Sequence, residues 1–272
     1  MNVDRGFFLK DTKMKLKKVF LAGFATLLVF NAFALEKITI GATPTPHGEI
    51  VAFTQPLFEK RGYTLDFKEF SDYLTPNFAL NDKELDANLY QHVIFLEDFN
   101  KNKGTQLVAL APVVVLPMAI YSNKIKDLKD LKEGATVALP NDPTNESRSL
   151  DLLEKAGLAT FKKVAQKTPL DIVANPKKLK FKEVEAAQVP RALEDVDLGV
   201  VTTNYALGAG LNPQKDGIFM EDKENRYAVM VLAVRKGEEN SAKAKVMKEV
   251  FQSPEVAQFI QEKFDGAAFP AF

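Results

Sequence analysis

Cysteine and tryptophan are absent from the 272-residue chain, and histidine occurs only twice, at His47 and His92. Without thiols there is no disulfide, zinc–thiolate site, iron–sulfur cluster or cysteine nucleophile to consider. Two histidines do not make a multi-histidine metal centre. The apolar run Val19–Phe30 has 12 residues, short of the roughly 20 that a membrane-spanning helix needs. Also missing are GxSxG, HExxH, GxGxxG and DxDxDG, and with them the hydrolase elbow, the zinc-protease helix, the dinucleotide loop and the calcium loop. No nucleophile, base and orienting acid assemble with any specificity. The chain is therefore expected not to be an enzyme, and to need neither cofactor nor metal. Charge of one sign is lacking too, with 36 Lys and Arg against 36 Asp and Glu.

What is present is ordinary globular material, 46% hydrophobic and 26% charged, enough for one large domain or two of about 100–150 residues. The ends differ. Residues 1–34 hold six basic and two acidic residues, so the remainder carries a net charge of −4. A mildly acidic body has no electrostatic footprint for nucleic acid. From Met14 the chain runs MKLKK, VFLAGFATLLVF and NAFA, which is a basic region, an apolar region and an Ala-x-Ala ending at Ala34. That order is a secretory signal peptide over residues 1–34, with Met14 as a candidate start. The expectation is a periplasmic protein, freely soluble after cleavage near Ala34, because no lipobox cysteine follows the apolar region.

Beyond Ala34, short β-like runs alternate with helical stretches. EKITIGAT, TLDFKEF and DANLYQH read as strands, and TQLVALAPVVVLPMAIYS as two strands split by Pro112 and Pro117. GEIVAFTQPLFEKRG, NFALNDKEL and VIFLEDFNKNKG read as helices. A second series follows: strand ATVALP, a helix from Pro143 to about Ala156, strand KLKFKEVE, helix VPRALEDV, then strands DLGVVTT, DGIFMED and RYAVMVLAV. SAKAKVMKEVFQSPEVAQFIQEKF closes the chain as helix. The pattern predicts an α/β fold of two lobes, with a ligand cleft where strand ends and helix N-termini converge.

Three segments carry candidate chemistry. In LPNDPTNESRSL, Asn141 and Asp142 offer capping oxygens, Pro143 suits the first helical position, and the free amides of the helix start attract an anion. Arg148 adds a fork for a carboxylate, unless it is only a surface residue behind an ordinary cap. Tyr73, Phe78, Tyr90 and His92 form an aromatic group. Alternation places Tyr90 and His92 on one side of their strand at its C-terminal end, although aromatics at such places are also common core residues. Asn204, directly after an apolar strand, offers a carbonyl to an ammonium or an amide to a carboxylate, or simply starts the next helix. Glu49 is a cleft acceptor or a first-turn helix acid.

At these segments the chain resembles the methionine-binding substrate-binding proteins of ABC importers, the lipoprotein-28 type family. The resemblance runs from about Lys37 to Phe272 through KITIGATPTPHGEI, DYLTPNFAL, ELDANLYQH, NDPTN, NPKKLKF, EAAQVPRALEDVD, TTNYAL and GLNPQKDGIF. It implies a periplasmic-binding-protein fold: residues 35–120 with 227–272 as one lobe, 121–226 as the other, two hinge crossovers and a ligand between them. Arg148 and Asn145 would hold a ligand carboxylate, and Asn204 its amino group or carboxylate. Tyr73, Tyr90 and His92 would surround the side chain. The implied ligand is methionine, the L form before the D form, and the implied partner is the membrane permease of an ABC importer. A monomer that binds no nucleic acid is expected. Val229 stands where relatives often have a ligand-contacting Asn, and Tyr90 where they often have Phe, adding a hydroxyl to the pocket. A methionine-containing dipeptide, another apolar amino acid, or an exported interaction or adhesin protein on the same fold are the alternatives. An enzyme on this fold would need His92 paired with Glu49.

Overall fold

Strand β1 (Glu36–Ala42) reads EKITIGA, and five of its seven residues are buried, as a strand covered on both faces requires. The computed structural model describes residues 35–272, so the signal peptide expected over residues 1–34 lies outside the described residues. After β1 come α1 (Glu49–Phe53), α2 (Gln55–Glu59), β2 (Tyr63–Glu69), α3 (Thr75–Asn81), β3 (Ala87–His92), α4 (Val93–Lys103) and β4 (Leu107–Val115). The chain continues through β5 (Ala119–Tyr121), β6 (Thr136–Pro140), α5 (Pro143–Lys155), β7 (Thr160–Phe161), β8 (Ile172–Ala174), β9 (Lys180–Val184), α6 (Val189–Ala192), β10 (Leu198–Val201), α7 (Thr203–Gly208) and β11 (Phe219–Met220). It ends with β12 (Val229–Arg235), α8 (Ala242–Phe251), α9 (Pro254–Lys263) and β13 (Phe269–Pro270).

These strands form two main sheets. The first has the order β13-β4-β12-β3-β1-β2 and the second β11-β5-β10-β6-β9, while β7 and β8 pair as a small hairpin. Parallel pairs β3–β1–β2 and β10–β6–β9 form one end of each sheet, running out to the edge strands β2 and β9. Each sheet has its own apolar core. Ile38, Ile40, Leu89, Val113, Leu232 and Phe251 belong to the first, and Ile120, Val137, Leu139, Leu150, Leu153 and Val200 to the second. The chain passes between sheets twice, from β4 to β5 through Leu116–Met118 and from β11 back to β12 through 221–228. These crossovers are tied together: Leu116 N–H donates to Ala228 O at 2.7 Å, and Glu221 N–H to Met118 O at 2.8 Å.

Proline explains where elements depart from the apolar pattern. The helix expected over 48–62 is two short helices, because Pro56 has no N–H to give to the carbonyl four residues back. The closing helix likewise divides at Ser253 and Pro254, where Ser253 caps α9 and Pro254 takes its first position. Pro112 does not split the long apolar run. It sits, exposed, where the register between β4 and β12 shifts, and a bulge tolerates the missing donor. Only Pro117 marks a real break, at the crossover. Residues Arg226–Ala228, expected in a strand, form a tight turn capped by the Asn225 side chain. Helix α4 stops at Gly104, whose φ of 70° is the left-handed cap conformation that favours glycine.

No helix among the described residues is long and apolar enough to cross a membrane. The ends of β3, β6 and β10, with the first turns of α5 and α7, meet between the two sheets.

Candidate functional site

Strand β3 is buried throughout, and its last residue, His92, caps α4 by accepting the Phe95 N–H at Nδ1 over 3.0 Å. That bond puts the ring proton on Nε2, which donates towards Asn145 Oδ1 at 3.4 Å. Burial, reinforced by the positive charge of Arg148, pushes the His92 pKa down to about 3, so the ring is neutral at physiological pH. Two residues earlier, Tyr90 donates its hydroxyl to Tyr73 O at 2.8 Å. The Tyr73 ring lies 5.9 Å from Tyr90, 5.9 Å from Phe95 and 5.0 Å from Tyr205 between centroids, so it is packed by aromatics on several sides. Behind β3, the buried side chains of Asn77, Asn88 and Gln91 bond one another at 2.7–2.9 Å and fix α3 to the strand.

The opposite wall comes from helix starts. Asp142 caps α5 by accepting the Asn145 N–H at 3.0 Å, and the Asn145 amide donates back to the same carboxylate at 3.0 and 3.1 Å. Arg148 follows on the buried face of α5. Its Nε donates to both oxygens of Glu221 at 3.1 Å, while Nη2 reaches Glu221 Oε2 at 2.5 Å and Leu116 O at 2.9 Å. Only Nη1 has no hydrogen bond among the described residues. In the first turn of α7, Asn204 accepts the Tyr73 hydroxyl at Oδ1 over 2.6 Å, and its amide nitrogen stays unengaged among the described residues.

Tyr73, Tyr90, His92, Asn145, Arg148 and Asn204 all line one small cavity of roughly 20 Å³, together with Phe95, Leu116, Thr202 and Met230. That volume holds about one water molecule, well below the ~300–1,000 Å³ usual for small-molecule sites. Arg148 is the only lining residue with a formal charge. The arrangement offers two free N–H donors on one wall and an aromatic lining on the other. A small molecule with a carboxylate and an apolar tail has partners at both ends. Several hydrogen bonds span the cleft and close it: Tyr73 to Asn204 and Thr202, Tyr205 to Ser71 O at 3.0 Å, and Gln166 to Asp98 at 2.8 Å.

Some sequence expectations change. Arg148 does not present a free fork, since Glu221 and Leu116 occupy two of its three nitrogens. The Tyr90 hydroxyl is committed to a backbone carbonyl rather than offered to a ligand. Met230 lines the cavity; Val229 does not, and pairs with Val115 at the edge of the crossover. His92 and Glu49 are not partners, because Glu49 pairs with Lys263 at 3.0 Å. Glu221 went unnoticed in the sequence. Its one signal was a carboxylate closing the apolar run DGIFMED.

A family model described as NlpA lipoprotein matches residues 38–272. The chain is 41% identical over 273 residues to the methionine-binding lipoprotein MetQ of Bacillus subtilis, covering 94% of this chain and 99% of that one. A nutrient binding protein from Burkholderia cenocepacia, solved bound to methionine, superposes with a TM-score of 0.84 at 41% identity, covering 86% of this chain and 100% of that one. An ABC transporter periplasmic substrate-binding protein from Coxiella burnetii gives 0.82 at 39% identity, covering 86% and 100%. These names overturn one expectation. A freely soluble periplasmic product does not stand against a family and a relative described as lipoproteins. The expectation rested on the missing cysteine alone, and that absence bears on one attachment chemistry only.

Proposed function

The chain belongs to the NlpA lipoprotein family, and from that premise we propose that it is a substrate-binding protein that captures methionine and delivers it to the permease of an ABC importer. The observation that carries this reading is the convergence of Tyr73, Tyr90, His92, Asn145, Arg148 and Asn204 on one cavity. Arg148 Nη1 and the Asn204 amide are placed to hold a carboxylate. Tyr73, Tyr90 and Phe95 suit a thioether, because sulfur–aromatic contacts contribute about 0.3–1.5 kcal/mol. We take residues 35–115 with 229–272 as one lobe and 119–220 as the other, moving the first boundary back from residue 120 because Ala119 and Ile120 of β5 pair with the second sheet. The hinges on this reading are Leu116–Met118 and residues 221–228.

Ligand exchange on this reading needs the lobes to part about the two crossovers. Parting breaks the Tyr73–Asn204, Tyr205–Ser71 and Gln166–Asp98 hydrogen bonds, each contributing about 0.5–1.5 kcal/mol. Closure shields the Arg148 contact from water and strengthens it.

A second reading, a methionine-containing dipeptide, has one observation in its favour. A recess of roughly 390 Å³ adjoins the cavity across Tyr73 and Phe95. Its charged residues are Asp72, Asp142 and Glu185, which repel a terminal carboxylate. Native mass spectrometry of the purified full chain, followed by unfolding and chiral analysis of the released ligand, tests both readings. One methionine per chain is the expected result, with the L form ahead of the D form. A dipeptide would shift the substrate class. An empty protein whose melting does not respond to methionine would overturn the assignment.

A further inference from the structure

On that reading of the cleft as an amino-acid site, we infer that Glu221 sets the net charge a ligand must have. By neutralising Arg148 it makes the cavity electrically complete for a zwitterion and closes it to an anion.

The inference starts from the charges on the page. Among the lining residues only Arg148 carries one, and His92 is neutral. The Arg148 and Glu221 side chains are each 2% exposed. Glu221 accepts from Arg148 Nε and Nη2, from Met118 N–H at 3.1 Å and from Asn225 Nδ2 at 2.5 Å. Both carboxylate oxygens are thus held, and the pair buries no uncompensated charge when the cavity is empty. A carboxylate entering alone would then bring an unpaired negative charge against an already neutralised wall. A ligand carrying its own ammonium cancels that charge. The charged groups farther out do not alter the sign. Asp142 and Asp72 lie towards Tyr90, and Arg226 towards His92, so the surroundings are no more welcoming to an anion than the wall.

Position matters as well as charge. Glu221 is bonded through its side chain and its backbone to Met118, while Arg148 reaches Leu116 O. The neutralised arginine is therefore fixed to the first crossover, and its single free nitrogen has a defined direction.

The test uses the full chain and two probes: L-methionine, and 2-hydroxy-4-(methylthio)butanoate, which has a hydroxyl in place of the ammonium and a net charge of −1 at pH 7. Wild type is expected to bind methionine about 100-fold more tightly than the hydroxy acid. Glu221→Gln removes the compensating charge and should narrow that ratio at least about tenfold, chiefly by gaining the hydroxy acid. Glu221→Asp, which keeps the charge, should hold the wild-type ratio. Because Glu221→Gln disturbs a buried pair and can fail to fold, wild-type calorimetry in two buffers of different ionisation enthalpy gives a second arm. Hydroxy-acid binding should take up a proton, and methionine binding none. A folded Glu221→Gln with an unchanged ratio would overturn the inference. So would tight hydroxy-acid binding to wild type without proton uptake. Failure of wild type to bind methionine at all would instead overturn the receptor reading beneath it.

Discussion

The two walls of the cavity are built on different principles. On the first-sheet side, Tyr73, Tyr90 and His92 have their polar atoms engaged within the protein, to one another's backbone, to a helix N–H or across to Asn204 and Asn145. That wall presents rings, held in place by a buried lattice of amides. On the second-sheet side, Asn145, Arg148 and Asn204 sit at or near helix starts, and two of them keep a free N–H facing the cavity. On the proposed reading the first wall takes an apolar tail, and the second takes a carboxylate through Arg148 Nη1 and the Asn204 amide. Recognition of a small amphiphilic molecule needs both, and the fold draws them from separate sheets.

The sharpest way to break this division is at Arg148. Arg148→Ala removes the second wall's charge and leaves Glu221 buried without its partner, which costs about 3–5 kcal/mol. Methionine affinity should fall at least about 1,000-fold, corresponding to about 4 kcal/mol, with a lowered melting temperature. Adding Glu221→Gln should recover much of the melting temperature and none of the affinity. Calorimetry and thermal unfolding on the two variants separate the binding role from the folding role. Recovery of affinity in the double variant would contradict the assignment.

Acid should attack the first wall before the second. Burial pushes both His47, in the turn after β1, and His92 down to about 3. Between that value and the ordinary 6.5 the unfolded chain binds protons that the folded chain refuses. Stability is therefore full above 6.5 and falls on acidification, by about 1.4 kcal/mol per pH unit for each histidine. Glu146, on α5, opposes this. Burial, with Glu183 and Asp142 nearby, pushes its carboxyl up to about 7, so its contribution is lost as pH rises from 4.5 through 7. Burial also raises the Asp142 carboxyl, which opposes in the same sense, but the two histidines are displaced furthest from their ordinary value, and urea unfolding at pH 7.5, 6 and 5 should show a net loss towards acid. Glu146→Gln should steepen the loss. A flat profile would show that the histidines take up protons in the fold.

The amide lattice is the next test. Asn77→Ala leaves Asn88 and Gln91 short of partners in a buried place and should cost about 1–3 kcal/mol, a fall of several degrees in melting temperature. Methionine affinity should drop only a few-fold, through loosening of α3 and of the Tyr73 loop before it. A loss as large as that of Arg148→Ala would mean that shape, rather than charge, dominates recognition.

How far the sequence leads can be judged at these same residues. The walls were legible because local rules mark them: a capped, proline-started helix carrying Asn145 and Arg148, an Asn after an apolar strand, and alternation placing Tyr90 beside His92. The two-sheet α/β fold was legible from periodicity. What escaped depends on pairing over distance. Glu221 is 73 residues from Arg148, and no spacing rule connects them. The Tyr90 hydroxyl could not be aimed from sequence, since its acceptor is a loop carbonyl 17 residues away. Helix breaks at Pro56 and Pro254 were visible as residues, but apolar periodicity ran through both and masked them. Pro112 misled the other way, because a bulge absorbs a missing donor that a regular ladder would not.

The smallest predicted effects separate the two tyrosines of the first wall. Tyr73→Phe keeps the ring but deletes the bonds to Asn204 and Thr202 across the cleft. It should weaken methionine at least about fivefold, since two such bonds contribute about 1–3 kcal/mol together, mainly through faster release as the closed form opens more often. Tyr90→Phe deletes only the bond to the Tyr73 carbonyl. If that hydroxyl faced the ligand, its loss would change the preference between L- and D-methionine, because the two enantiomers present their polar groups differently to a fixed acceptor. The observed geometry aims it away, so Tyr90→Phe should shift both enantiomers by the same factor, less than about threefold, and leave their ratio unchanged. Competition of the two enantiomers against one labelled ligand reads that ratio directly. A changed ratio would place the hydroxyl in the cavity and make the first wall a reader of polar groups as well as of shape.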